Sequence, residues 1–336
     1  MRIAALAGGV GASKFLLGLA HAIDPRSLTI IVNTGDDISL HGLEISPDLD
    51  IVTYTLAGIV NPETGWGIEK DTFSALGQLA RYGCPDWFHL GDQDLATHIF
   101  RTQRLRSGAS LSEVADSIRL RLGVKSRILP MADQPIRTMI ETARGWIHFQ
   151  EYLVKQRARP IVRGLRFEGS KAGQPAPGVL EALREADAIV ICPSNPLIST
   201  GPILSVLGVR EVLRKRRDSV LAICPIVGGK SLKGPSDRMM RQMGLEPSAL
   251  GVARLYCDLC GTFLIDRADE TERAAIEALG MRAVAVATVM RTLRDKVQLA
   301  RFTIEMLRGN TKRSKVDKNE RSSPLRGAKR FQPKPF

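Results

Sequence analysis

The chain has 336 residues, is 44% hydrophobic and carries a net charge of +13. That apolar share is ample for a core, and no run reaches the roughly 20 consecutive apolar residues of a membrane span. The charge suggests nucleic acid, but residues 308–336 hold ten Lys/Arg against two Asp/Glu, a net of +8 that leaves only +5 for the rest. The tail over 309–336, with three prolines and few apolar residues, is expected to be disordered. Nucleic acid is therefore not an expected partner apart from tail contacts.

The first segment reads as strand, glycine turn and helix. Arg2-Ile3-Ala4-Ala5-Leu6-Ala7 is apolar, Gly8-Gly9-Val10-Gly11 breaks it, and Phe15, Leu16, Leu19 and Ala20 then recur at helical spacing. Such a turn aims backbone N–H groups and a helix dipole at a phosphate. Neither standard nucleotide template is complete. The dinucleotide fingerprint needs a third small residue where Lys14 stands, and the Walker pattern needs a glycine where Ser13 stands.

A second strand-like run, 28–32, leads into Asn33-Thr34-Gly35-Asp36-Asp37, His41-Gly42 and Ser46-Pro47-Asp48-Leu49-Asp50. Four aspartates within 18 residues, with a histidine among them, repel one another unless a cation sits among them, and Mg²⁺ prefers oxygen ligands of this kind. A solvated, turn-rich loop would use the same residues. Trp66 stands between Gly65 and Gly67 with little local packing support, so it is available to stack on a planar ligand.

Residues from about 71 to 152 have another texture. Helices are expected over 71–82, 94–106 and 110–122, the last opened by the capping box Ser110-Leu111-Ser112-Glu113. Strands are expected over 127–131, 138–142 and 146–154. On the middle helix, spacing puts Asp94, Thr97, His98 and Arg101 along one face, which reads equally as a solvated polar face. His148, within a strand, reads as an ordinary sheet residue.

Strands at 186–191 and 219–223 then end at Cys192-Pro193-Ser194-Asn195-Pro196 and Pro225-Ile226-Val227-Gly228-Gly229-Lys230. A helix is expected between them through Leu204, Val206, Leu207 and Val212. This alternation predicts an α/β fold with a doubly wound, mostly parallel sheet, whose ligand crevice lies at the carboxyl ends of its strands. Five scattered cysteines (Cys84, Cys192, Cys224, Cys257 and Cys260) suit a reducing cytoplasm, and the lone CxxC lacks partners for zinc. No signal peptide is expected, because the first residues are strand-like and lack a basic region followed by a long apolar one.

The segments AGGVGASK, NTGDD, HGLEISPDLD, YTLAG, GDQDLATH, FQEYLV, CPSNP and PIVGGKSLKGP, in that order, resemble the CofD family of coenzyme F420 biosynthesis from residue 2 to about 307. The resemblance implies a Rossmann-like core (1–68 and 155–308) with an inserted α/β capping subdomain (69–154), commonly dimeric. It implies Mg²⁺-dependent transfer of a phospho-three-carbon-acid from a guanosine diphosphate-linked donor to the ribityl hydroxyl of the deazaflavin Fo, with GMP leaving. By resemblance the metal falls to Asp37 and Asp50, with Asp36 and Asp48 as near alternatives. Gly8, Gly9, Gly11 and Lys14 would face the diphosphate or the tail of Fo. Ser194, Asn195, Ser199, Gly228, Gly229 and Lys230 would hold the guanosine nucleotide, and Trp66, Asp92, Asp94, Thr97 and His98 would surround Fo. Asp50 or His98 would be the general base, unless metal activation makes one unnecessary. The donor stays open among phospholactate, phosphoenolpyruvate and 3-phosphoglycerate derivatives. The alternatives are a UDP-sugar-binding regulator of a related family, disfavoured by HGLEISPDLD and GDQDLATH, and an NAD-dependent dehydrogenase, disfavoured by Lys14.

Overall fold

The computed structural model describes residues 1–321, with side chains through 309. It opens with a fully buried strand, β1 (Ile3–Ala7), and enters α1 (Gly9–Ala22) through Gly8. Gly9 has φ +73°, a left-handed conformation that suits glycine. β2 (Leu28–Val32) matches the second apolar run. The acidic segment is more regular than a loop. β3 (Ile38–Leu40) and β4 (Leu43–Ile45) form a hairpin turning at His41 and Gly42, and Ser46-Pro47-Asp48 starts α2 (Pro47–Ala57). A first-turn proline forfeits no intrahelical bond, and first-turn acids meet the positive end of the helix dipole.

α3 (Ser74–Arg81), α4 (Asp92–Arg106) and α5 (Leu111–Arg121) correspond to the three expected helices. Ser110 closes the expected capping box on α5: the Glu113 N–H donates to its Oγ, and its own N–H donates to the Glu113 carboxylate. β5 (Arg127–Pro130) departs from the expected insertion, because it pairs in parallel with β2 and forms the edge of the main sheet. β6 (Arg137–Thr142), β7 (Gly145–His148) and β8 (Gly164–Glu168) make a separate antiparallel sheet in the order β7-β6-β8. The strand expected to continue to 154 stops at His148, and a π-helical turn follows over Glu151–Lys155. Phe149 and Tyr152 both bury in one apolar cluster. A strand would send residues three apart to opposite faces.

α6 (Val179–Glu185), β9 (Ala188–Ile191), α7 (Thr200–Ser205), α8 (Val209–Lys215) and β10 (Val220–Ile223) continue the alternation. The single helix expected through Leu204 and Val212 is two, since Gly208 at φ +81° interrupts it. A small hairpin of β11 (Ile226–Val227) and β12 (Lys230–Ser231) precedes α9 (Ser236–Gln242), α10 (Ala249–Tyr256) and β13 (Thr262–Asp266). α11 (Arg273–Glu277), β14 (Arg282–Val286) and α12 (Leu293–Arg321) complete the chain. α12 carries the described part of the segment expected to be disordered. Residues 322–336 lie outside the described residues.

The main sheet has seven strands in the order β14-β13-β10-β9-β1-β2-β5, every neighbouring pair parallel. Alternation along β1 divides the core: Ala4 and Leu6 join one apolar cluster, Ile3, Ala5 and Ala7 the other. Helices α1, α2 and α12 cover the second face, and α6, α8, α10 and the small sheet cover the first. This is the doubly wound α/β class. Strand order reverses between β1 and β9, and that reversal places the crevice. Among the described residues no helix is long and apolar enough to cross a membrane.

Candidate active site

At the β1/β9 reversal the carboxyl ends of both strands open into a cleft of about 1070 Å³. Its floor is tied together by backbone and small side chains. The Ser194 hydroxyl accepts from the Gly8 N–H (3.2 Å) and donates to the Gly8 carbonyl (3.0 Å), so this expected nucleotide ligand is a strut between the two strand ends. A Cβ on Gly8 would lie 2.7 Å from both Asp48 Oδ2 and Ser199 Cβ, and one on Gly11 would lie 2.4 Å from the Pro193 carbonyl. These glycines are there because the walls approach to backbone contact. Gly8, at the cap position of α1, offers no side chain, the Gly9 N–H is taken by Asp48 instead, and Gly9, Val10, Gly11 and Lys14 line the cleft.

The four acids divide into two kinds. Asp48 accepts from the Gly9 N–H (2.8 Å) and from the Asn33 carboxamide (2.9 Å), and Asp36 has one oxygen buried with no hydrogen-bond partner. Both line the cleft, and among the described residues neither forms an ion pair. Burial pushes the Asp48 carboxyl up to about 6. Burial, then repulsion from Asp48, raises Asp36 well above its ordinary value. Two buried carboxylates repelling one another with only neutral donors around them are what a hard divalent cation would relieve.

Asp37 and Asp50 are differently placed. Asp37 does not line the cleft. It accepts from the Ser46 hydroxyl (2.8 Å), and burial, opposed by Arg137, raises it to about 7. Asp50 is gripped at both oxygens by Arg101, whose guanidinium is only 2% exposed. Burial opposes the Arg101 charge, but Asp50 outweighs it and the pKa of Arg101 is raised. Burial raises Asp50 in turn, with Arg101 and His98 pulling against it. Of the four expected metal ligands, Asp36 and Asp48 thus face the cleft without an ion-pair partner, Asp37, whose Oδ1 is likewise buried without a partner, stays outside the cleft lining, and Asp50 is paired with Arg101. Arg101 occupies the place a cation would take beside Asp50.

Behind Asp50 lies a buried polar network. Arg101 Nη1 is 3.1 Å from His98 Nδ1, His98 Nε2 is 3.3 Å from Asp94 Oδ2, and the Tyr54 hydroxyl donates to Asp94 Oδ1 (2.7 Å). A ligand atom each from Asp50, Asp94 and His98 fall within 4.8 Å of one another. Arg101 is a donor only, so His98 Nδ1 accepts and its proton sits on Nε2 toward Asp94. Both candidate bases, Asp50 and His98, are therefore engaged.

The remaining expected site residues separate cleanly. Trp66, Asp94, His98, Asn195 and Ser199 line the cleft. Thr97 does not, lying instead near the Tyr54 hydroxyl. Asp92 is a helix cap: the Ser74 and Ala75 N–H groups donate to it at 3.0 and 2.9 Å, while Asp71 caps α4 through the Gln93 and Asp94 N–H groups at 2.8 and 3.0 Å. Gly228 and Gly229, both at positive φ, turn the β11–β12 hairpin, and with Lys230 they stay outside the cleft. The next residues, 231–236, line it instead. Cys260 is buried with its thiol pushed up to about 12, so the CxxC supplies no thiolate there.

Other lining residues went unassigned from the sequence: Tyr54, Trp87, Gln150, Lys233, Thr288 and Arg291. Tyr54, Gln150 and Lys233 fall within the family segments YTLAG, FQEYLV and PIVGGKSLKGP, which is their only signal. The Gln150 amide holds the Asp36 carbonyl (3.3 Å), tying the small sheet to the acidic segment.

Residues 3–300 match the family model described as 2-phospho-L-lactate transferase CofD. The chain is 42% identical to a phosphoenolpyruvate transferase of Kitasatospora aureofaciens, over 91% of this chain and 98% of that one. It is 39% identical to a 2-phospho-L-lactate transferase of Methanosarcina mazei, over 89% and 98%. Among solved structures, a UPF0052-family protein of Bacillus halodurans is similar in fold, with a TM-score of 0.59 at 17% identity over 89% of this chain and 97% of that one. With its nucleotide-type crevice and a match over nearly its whole length, the chain belongs to the CofD family, the transferases of coenzyme F420 biosynthesis.

Proposed function

We propose that this cleft transfers a phospho-three-carbon-acid from a guanosine diphosphate-linked donor to the ribityl hydroxyl of Fo, releasing GMP. One observation carries the reading. Asp36 and Asp48, buried without a cation, lie beside the start of α1 at the strand-order reversal, where a diphosphate neutralised by a divalent cation would also meet the positive end of the helix dipole. Asp36 and Asp48 would hold Mg²⁺, which when bound neutralises charge on the diphosphate.

The protein's own groups position the reactants. Asn195 and the 231–236 segment face the guanosine nucleotide, and Trp66 with Trp87 offers flat faces for the deazaflavin. The hydroxyl oxygen attacks the phosphorus bearing the acid, and the bond from that phosphorus to the GMP oxygen breaks. No general base is assigned, since Arg101 already donates to both Asp50 oxygens and to His98 Nδ1, while the protonated His98 Nε2 faces Asp94. A nucleotide-dependent reaction and five free cysteines suit the cytoplasm, and the functional unit is a homodimer by likeness to the family.

Relatives are named for two acids, phosphoenolpyruvate and 2-phospho-L-lactate. Incubation with Fo, Mg²⁺ and each guanylylated acid in turn is expected to release GMP, and product mass identifies the acid. No GMP release with any of the three donors, beside tight UDP-sugar binding, would favour the regulator instead.

A further inference from the structure

Positive charge on the body of the chain gathers in one short segment. Residues 155–166 hold five Lys/Arg and no Asp or Glu, a net of +5 that equals the net charge of residues 1–307 as a whole. The segment leaves the π-helical turn Glu151–Lys155 and runs into β8. Arg157 and Ala158 both take positive φ, +50° and +49°, a region that residues other than glycine seldom occupy. This left-handed pair buries Ala158 and leaves Arg157 and Arg159 exposed on either side of it. The Arg159 N–H donates to the Gln156 carbonyl (3.0 Å), and that of exposed Arg163 to the Glu141 carbonyl of the small sheet (2.8 Å), so the backbone holds both in place. Lys155 pairs with Glu151 and Arg166 with Glu168, but among the described residues Arg157, Arg159 and Arg163 form no ion pair.

This ridge borders the cleft. Lys155 and Arg157 line it, and Lys155 Nζ lies 6.0 Å from the centroid of the Trp87 ring. The lining as a whole holds five Asp and five Lys/Arg, so its own formal charges cancel. The field at the mouth is therefore set by charges beside the lining. Arg159 and Arg163 do not line the cleft, but Arg163 stands six residues from Arg157 and so lies within about 20 Å of it. That is shorter than the screening length of about 30 Å at about 10 mM salt. The proposed donor, a diphosphate that also bears a carboxylate, is a polyanion. We propose that Arg157, Arg159 and Arg163 form a steering ridge that speeds the entry of anionic guanosine nucleotides into the cleft, with Arg159 and Arg163 acting through their field and not through contact with the bound ligand. This rests on the transfer reaction proposed above, which makes the donor anionic. Charges of this kind change the association rate and its salt dependence and leave dissociation almost untouched.

The test is stopped-flow association of ribose-labelled fluorescent GDP with the full chain, in EDTA, at about 10 mM and about 1 M KCl. The double variant Arg159→Glu, Arg163→Glu is expected to associate at least about fivefold more slowly than wild type at the lower salt and to dissociate within about twofold of it. At the higher salt, where screening acts within about 3 Å, the two should match. Arg159→Lys with Arg163→Lys should keep the wild-type rate, because the charge is kept. Arg2→Glu with Arg26→Glu makes the same charge change at the amino ends of β1 and β2, on the far edge of the sheet, and should have little effect. Guanosine with the same label, which has no phosphate, should associate equally with every variant. The ridge is overturned by a wild-type rate that ignores salt, by no GDP association at all, by a charge-reversed ridge within about twofold of wild type at low salt, or by an equal loss in the far-edge variant. Failure of the transfer reading looks different: no GMP is released from any donor, yet GDP association still depends on salt and on the ridge.

Discussion

Asp48 and Asp50 stand two positions apart on α2, and the helix decides what each becomes. A separation of two turns the side chain by about 200°, nearly to the opposite side. Asp48 therefore meets Gly9 and Asn33 at the cleft, while Asp50 meets Arg101 on α4. Asp48→Asn is expected to lower Mg²⁺-dependent turnover about 100-fold or more, because metal charge stabilisation is worth several kcal/mol. Asp50→Asn strands a buried guanidinium and is expected to cost roughly 3–5 kcal/mol in urea unfolding. A fully active Asp48→Asn, or an Asp50→Asn as stable as wild type, would reverse the assignment. The pH dependence has a definite sign. Asp48 rises from an ordinary 3.8 to about 6 in the folded, metal-free protein, so the fold binds its proton more tightly than the unfolded chain does. Its contribution to stability is present below about pH 4 and lost as pH rises through 6. Melting in EDTA should therefore show Asp48→Asn gaining on wild type between pH 4 and 7. Taking the difference cancels the opposite trend of His148, which burial and Arg137 lower to about 4. Added Mg²⁺ should close the gap near pH 7.

Among the elements, α3 and α4 depend on one another. Asp92 at the start of α4 caps α3, and Asp71 ahead of α3 caps α4. Gly91 is required between them because a Cβ there would lie 2.1 Å from Asp71 Oδ2. The aromatic segment with Trp87 and Phe88 hangs between the two helices, so the caps set this aromatic wall of the cleft, the one proposed for Fo. Asp71→Ala is expected to cost about 1 kcal/mol. Gly91→Ala should displace the same cap. Fluorescence titration should show Fo binding weakened in both, with guanosine nucleotide affinity kept. Equal losses for both ligands would show that the caps serve the whole fold rather than this wall.

At the level of the whole molecule, the last helix closes over the first. Leu299, Ala300, Thr303, Ile304 and Leu307 of α12 are buried, and a Cβ on Gly18 of α1 would lie 2.1 Å from the Lys296 carbonyl. Gly18→Ala is therefore expected to destabilise by roughly 1–3 kcal/mol through overpacking, and a melt unchanged from wild type would refute that close approach. This docking also brings Lys296 toward Lys14, so packing on the covered face reaches a residue that lines the cleft.

Local pattern alone was enough for the strand–glycine–helix opening, β2, the capping box on α5 and the parallel, doubly wound class. Each rests on periodicity or on backbone chemistry within a few residues. The ordered motifs were enough for the family. Tertiary structure decided the rest. β5 joined the main sheet because its partner is β2, nearly a hundred residues earlier, and no local signal distinguishes an edge strand from one inside an insertion. That Asp92 caps α3 and that Gly228 and Gly229 turn a hairpin outside the cleft lining appears only once the chain is folded. Four aspartates within 15 positions look alike in sequence. Which are left without a cation depends on where Arg101 lands, and it comes from 51 residues beyond Asp50. Coulomb energy falls with distance in space, not along the chain.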